Sequence, residues 1–156
     1  MSTPEITTGD LNDPRVLRLL EQHLADMHAT SPPESVHALD VAGLQHPSVT
    51  FWTLEDGEDV LGCVALRELD ERHGELKTMR TDAAARGRGL GRLLLAHVVA
   101  EARTRGYARL SLETGVEDFF APARALYLAA GFIPTPPFGD YRPDPNSVFL
   151  TLELTD

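Results

Sequence analysis

The sequence predicts an α/β fold in which a mixed sheet carries helices on its faces. Three observations lead there. Helical periodicities alternate with short strand-like runs along the 156 residues, the pattern of interleaved rather than segregated elements. Three strand-like runs follow one another mid-chain with only short turns between them, which makes an antiparallel meander. The last run, residues 147–154, alternates cleanly and sets Val148, Leu150, Leu152 and Leu154 on one face.

The elements read in order as β-α-α-β-β-β-α-β-α-β. EITTGDL (5–11) is a first strand. Asp13 before Pro14 is an N-cap and first-turn signature, and Val16, Leu17, Leu20, Leu24 and Met27 then recur at helical spacing, giving a helix near 14–29. SPPE (31–34) reads as a capping box opening a short second helix. VTFWTLE (49–55) and VLGCVALREL (60–69) flank the turn DGED (56–59) as a hairpin, and GELKTMRT (74–81) is the next strand, with His73 ahead of it as a loop residue. A helix of ~18 residues ends before Gly106. YARLSLET (107–114) is a strand, and PARALYLAA (122–130) is a helix with Gly131 just past its end. No repeat, low-complexity tract or linker interrupts the chain, so one domain spanning 1–156 is expected.

Composition narrows the function classes. Hydrophobic residues make up 42% and charged residues 24%, as in an ordinary soluble domain. The net charge of −10 argues against nucleic acid, whose phosphates need a basic face. Residues 1–60 hold 11 acids against 2 bases, a field that favours a cationic ligand. No run is apolar enough for a membrane span, the N-terminus has no signal-peptide pattern, and Cys63 is the single cysteine, so a cytoplasmic setting is expected. Cys63 sits in an apolar strand as a small buried side chain, and no metal site is expected.

Chemistry concentrates in Arg86-Gly87-Arg88-Gly89-Leu90-Gly91-Arg92, which follows a strand and opens a helix. The first amides of a helix have no partner within it and, with the helix dipole, bind anions. Glycine tolerates positive φ and lets a phosphate approach the backbone, and Arg86, Arg88 and Arg92 surround the opening with charge. The spacing fails the dinucleotide fingerprint, and no phosphate-loop lysine pattern is present. It fits Arg-x-x-Gly-x-Gly at Arg86, Gly89 and Gly91.

That pattern resembles the acetyl-CoA signature of the GNAT N-acetyltransferase superfamily. The resemblance extends along nearly the whole chain. GELKTMRT and YARLSLET resemble the family's fourth and fifth strands, and PARALYLAAGF resembles its A-x-x-L-Y-x-x-x-G-F segment, with Ala123, Leu126, Tyr127, Gly131 and Phe132 in place. SPPES and DPNSVF resemble segments of a bacterial subgroup. The resemblance implies a mostly antiparallel sheet with helices on both faces and a splay between its fourth and fifth strands. It also implies acetyl-CoA as co-substrate, with its pyrophosphate on the backbone of Arg86, Gly87, Arg88, Gly89, Leu90, Gly91 and Arg92. Its pantetheine would lie along Met79, Arg80 and Thr81 like an added strand.

The resemblance also implies catalytic roles. Tyr127 matches the tyrosine that protonates the departing thiolate. Glu75 stands where a glutamate base stands in related acetyltransferases, with Glu113 as the second candidate. A base is needed because an alkylamine of pKa ~10.4 is almost wholly protonated at neutral pH. Many members carry asparagine three residues before the alanine of the A-x-x-L-Y segment, and here that position is Phe120. Lys77 shares strand parity with Glu75 and could bind a substrate carboxylate, whereas Arg80 falls on the opposite parity. The proline-rich loop 134–146 would lie beside the acceptor, with Phe138 and Tyr141 lining its pocket. The expected function is direct transfer of acetyl to a small primary amine such as an amino acid, in a ternary complex with no acyl-enzyme. A protein N-terminus or lysine as acceptor, and a non-catalytic CoA-binding module, stay open as alternatives. Exposed edge strands of such folds often pair, so a homodimer also stays open.

Overall fold

Helix ends form where the sequence caps them. In the computed structural model, which describes residues 3–85 and 87–154, the Asp13 carboxylate accepts the Arg15 amide at 2.8 Å and starts α1 (Pro14–Thr30). The proposed capping box at 31–34 does not form. Ser31 instead ends α1 and gives its hydroxyl to Glu117, and only a 3₁₀ turn, Pro33–Ser35, follows. The short α2 (Val41–Leu44) starts later, capped by Asp40 on the Gly43 amide at 2.8 Å.

The sheet is built from β1 (Glu5–Thr8), β2 (Val49–Asp56), β3 (Asp59–Asp70), β4 (His73–Thr81), β5 (Arg109–Gly115), β6 (Ile133–Pro134) and β7 (Ser147–Glu153). Among the described residues these make one seven-stranded sheet in the order β1-β2-β3-β4-β5-β7-β6. Every neighbouring pair is antiparallel except β4 and β5. A parallel step needs a crossover, and α3 (Leu90–Thr104) supplies it. α4 (Ala121–Ala129) links β5 to β6 and ends as anticipated: Gly131 has φ 102°, and the Phe132 amide donates back to the Tyr127 carbonyl. The two faces bury separate cores. Leu94, Val98, Leu110, Leu112 and Phe132 pack under α3 and α4, and Val16, Leu20, Phe51, Cys63 and Ala65 pack under α1.

Two irregularities of β4 create the site. The first is its early separation from β5. Pairing runs only from His73↔Arg109 to Glu75↔Ser111 and then stops, so the β5-facing edge of β4 beyond Glu75 is left without a strand partner among the described residues. The second is a bulge. Ala65 faces Lys77 while Cys63 faces Arg80, an extra residue on β4. Thr78 takes φ 53° at that point, a conformation that costs a non-glycine residue about 1–2 kcal/mol. The Cys63 thiol donates to the carbonyl of Thr78 at 3.3 Å, which satisfies an acceptor the bulge exposes.

Candidate active site

The bulge changes which side chains share a face. Glu75, Lys77 and Arg80 pair with Arg67, Ala65 and Cys63, so all three point to the α1 side of the sheet. Arg80 was expected on the opposite parity; the extra residue at Thr78 reverses it. There Arg80 is buried and donates from Nη1 to Asp26 on α1 at 2.7 Å. His73 is likewise not a loop residue. It begins β4, is buried, and bonds to the Ser111 hydroxyl at 2.7 Å.

Glu75 and Lys77, both buried, form one cluster with the half-buried Tyr141. The Tyr141 hydroxyl donates to Glu75 Oε2 at 2.5 Å. Lys77 Nζ donates to the Tyr141 oxygen at 2.9 Å and lies 3.4 Å from the same Oε2. Glu75 is 1% exposed, and its other oxygen, Oε1, is buried with no partner among the described residues. An unpaired buried acceptor costs about 1–3 kcal/mol, so this oxygen is placed for something other than stability. Burial and the Glu75 carboxylate raise the Tyr141 phenol well above its ordinary value, which keeps it a hydrogen-bond donor. Lys77, a candidate for binding a substrate carboxylate, therefore has its charge balanced inside the cluster.

Two cavities meet at this cluster. An inner one of about 110 Å³ reaches through the gap between β4 and β5, and Glu75, Lys77, Met79, Glu113, Tyr127 and Tyr141 line it. An outer cleft of about 1000 Å³ is lined by Glu75, Lys77 and Tyr141 on its floor side and by residues 139–146 of the proline-rich loop. The Ser35 hydroxyl donates to Asp144 at 2.6 Å, and Asn146 Nδ2 lies 3.4 Å from Ser35. The two subgroup segments noted in the sequence thus close on each other over the cleft. His37 lies edge-on to Tyr141 at 5.0 Å and lines both cavities. Burial, then the Lys77 charge, hold its pKa below the ordinary histidine value.

Tyr127 and Glu113 stand at the inner end. Tyr127 is 5% exposed, and its hydroxyl has no hydrogen-bond partner among the described residues. Burial first, and Glu113 second, push its pKa up, so it stays protonated at any physiological pH. Burial also raises Glu113, although the Ser147 hydroxyl donates to it at 2.7 Å. Phe120, where relatives of the pattern carry asparagine, is a buried apolar wall of this cavity. Phe138 does not line either cavity as expected. It is buried between His73, Tyr141 and Phe149 and backs the Tyr141 ring at 5.1 Å. Cys63 is fully buried with its pKa pushed up to about 12 by burial, which disqualifies it as a nucleophile.

The glycine-rich loop takes the conformation its composition requires. Gly87 has φ 84° and Gly89, the N-cap of α3, has φ 74°. Nothing lies within 4 Å of a Cβ placed at either, so the glycines serve the backbone turn and leave open space in front of the helix. Arg88 and Arg92 are exposed beside it with no partner among the described residues, and Leu90 anchors the helix start in the core. Thr81 ends β4 just before this segment. Arg86 lies outside the described residues. An open edge on β4 and an open cradle at α3 together fit an extended chain ending in a diphosphate. Among the described residues no group of three or more His, Cys, Asp or Glu could hold a metal ion, and no helix is long and apolar enough to cross a membrane.

A sheet parted after Glu75 and a positive-φ glycine turn opening α3 fit an acyl-CoA donor. The acetyltransferase (GNAT) family matches residues 16–132, and the chain belongs to it as an acetyl-CoA-dependent N-acetyltransferase. It is 49% identical to the uncharacterized N-acetyltransferase YsnE of Bacillus subtilis, over 96% of this chain and 99% of that protein. It is 48% identical to the uncharacterized N-acetyltransferase YedL of Escherichia coli, over 97% and 95%. A solved structure from Klebsiella pneumoniae, provisionally named an acyl-CoA N-acyltransferase, superposes with a TM-score of 0.82 at 31% identity, covering 98% of this chain and 99% of that one.

Proposed function

We propose that this enzyme acetylates a small primary amine by direct attack in a ternary complex, with Glu75 as base and Tyr127 as acid. The observation that carries this reading is the unpartnered buried oxygen of Glu75 at the wall shared by the two cavities. Acceptor enters by the outer cleft, whose volume is of the order of small-molecule sites. The donor thioester reaches the inner cavity along the free edge of β4, held by main-chain groups of Met79 to Thr81, with its diphosphate at the Gly87–Arg92 turn.

Glu75 Oε1 takes a proton from the acceptor ammonium, directly or through one water. The neutral nitrogen attacks the thioester carbonyl. Tyr127 gives its proton to sulfur as the C–S bond breaks. The proton still carried by the attacking nitrogen returns through water to the Tyr127 phenolate, leaving the neutral amide and the free thiol. No bond to the protein forms at any stage. Lys77 and Tyr141 hold the other Glu75 oxygen, so the free one keeps a fixed direction. Phe138 acts behind them by packing Tyr141 in place. Glu113 is the alternative base.

Thiol release from acetyl-CoA, followed over a panel of amines, tests this reading. Glu75→Gln is expected to lower kcat/KM by about 10²–10⁴-fold and to remove the acid-side fall of the pH–rate profile. An unchanged profile, with that loss appearing instead in Glu113→Gln, would move the base to Glu113. Transfer confined to peptide N-termini or lysines would replace the small-molecule acceptor with a protein one.

A further inference from the structure

The outer cleft contains a guanidinium, that of Arg67, with no hydrogen bond or ion pair among the described residues. Arg67 lies on β3 directly across from Glu75 in the pairing register, so the two side chains leave the same face of the sheet as neighbours. It is half-buried, lines the cleft, and makes no hydrogen bond or ion pair with any described residue. Its neighbours of opposite charge are occupied or at the rim. Glu75 is held by Tyr141 and Lys77, Glu68 accepts from the Tyr107 hydroxyl at 2.7 Å, and Asp144 accepts from Ser35. Glu34 and Asp140 are exposed. Of the other basic groups of this sheet face, Lys77 and Arg80 are paired, and Arg109 on β5 is exposed and does not line the cleft. Arg142 on the loop wall has no partner among the described residues but is exposed.

We infer that the acceptor is an α-amino acid whose carboxylate is held by Arg67 while its amine sits at Glu75 Oε1. The inference rests on the function proposed above and names the substrate class of that site. Arginine offers two parallel N–H groups to a carboxylate, a geometry no ammonium matches. Glu75 and Arg67 are adjacent cross-strand positions on one face and both line the cleft, so a single small ligand can meet both. An α-amino acid meets that spacing, and a peptide N-terminus or lysine side chain brings no carboxylate to it. The side chain of the acceptor is left to the remainder of the cleft, between the 139–146 loop and His37.

Isothermal titration of the CoA-loaded full-length protein with the common α-amino acids, each as free acid and as carboxamide, tests the inference without requiring turnover. At least one free acid is expected to bind, and its amide to bind roughly 10- to 150-fold more weakly, the range of one charge-assisted contact. Arg67→Met is expected to weaken the free acid by the same factor and leave the amide unchanged, because the interaction is absent from that pair already. Arg67→Lys, which keeps the charge and loses the fork, is expected to fall between. An amide that binds as well as its acid overturns the inference on wild-type protein alone. So does an equal loss for acid and amide in Arg67→Met, or the absence of binding by every amino acid at ~10 mM to protein that binds CoA. Turnover separates the two readings. Carboxylate-dependent binding with no acetyl transfer keeps Arg67 as a carboxylate site but removes both the proposed function and the amino acid as acceptor; transfer to amines that lack a carboxylate, with no preference for the acid, keeps the proposed function and overturns the inference.

Discussion

Replacing His23 with leucine is expected to flatten the acid sensitivity of this fold. His23 sits on α1, is 7% exposed, and makes no hydrogen bond to any described residue. Burial, and then the positive charge of Arg80, bring its pKa from 6.5 down to about 4, with Asp26 opposing. The folded chain therefore binds fewer protons than the unfolded one in this range, so acid favours unfolding. The contribution of neutral His23 is fully present above the unfolded value of 6.5 and is lost as the pH falls toward 4. The linkage relation gives about 2 kcal/mol lost between pH ~7 and ~5 and about 3 kcal/mol by pH ~4. Urea unfolding at a series of pH values, on wild type and His23→Leu, reads the difference. Burial lowers His37 and His73 as well, and they lose stability in the same direction; they are common to both proteins and cancel. Asp13 and Asp144 have pKa values below 3.8 and act only at lower pH. Two stability curves that stay parallel from pH ~7 to ~5 would show that His23 titrates alike in the folded and unfolded chains and so is no source of acid sensitivity.

The remaining predictions concern the donor side. Gly89→Ala meets no steric obstacle but must keep φ 74°, so it is expected to cost about 1–2 kcal/mol in thermal unfolding and to weaken acetyl-CoA in a titration; equal stability to wild type would show that the turn relaxes freely. Tyr127→Phe removes a hydroxyl with no partner among the described residues, so folding stability is expected to change little. Its kcat is expected to fall by about 10²-fold, the low end for general acids, because a thiol of pKa ~8.5 leaves readily; full turnover would end its role as acid.

Much of the fold was legible because local signals and tertiary structure agreed. Asp13-Pro14, the DGED hairpin, the Gly87–Gly89 turn and the Gly131 cap each act within a few residues, and each formed as its chemistry dictates. Glu75, Glu113, Tyr127 and Tyr141 stand out one by one as candidates through the family pattern or the loop, and Lys77 through its strand parity with Glu75. Their convergence on one cavity was not. The bulge at Thr78 is marked by no glycine or proline, and the group that satisfies its carbonyl, Cys63, belongs to another strand. That single extra residue turned Arg80 toward α1 and defeated the parity argument. SPPE failed as a capping box because Ser31 found a partner in Glu117, far along the chain. Arg67 and His37 gave no signal, since an arginine near a strand end or a histidine after a turn is unremarkable until the register sets it beside Glu75. The closure of Ser35 on Asp144 was half visible, as two conspicuous segments with no indication that they touch.

The position of the donor decides whether Glu75 and Tyr127 can act on it. Amide hydrogen exchange measured by mass spectrometry, with and without acetyl-CoA, addresses that directly. Protection is predicted in two segments: residues 76–81, whose β5-facing edge is otherwise free, and residues 87–92, at the opening of α3. Binding that protects neither segment, or an exchange pattern unchanged at saturating acetyl-CoA, would contradict the account.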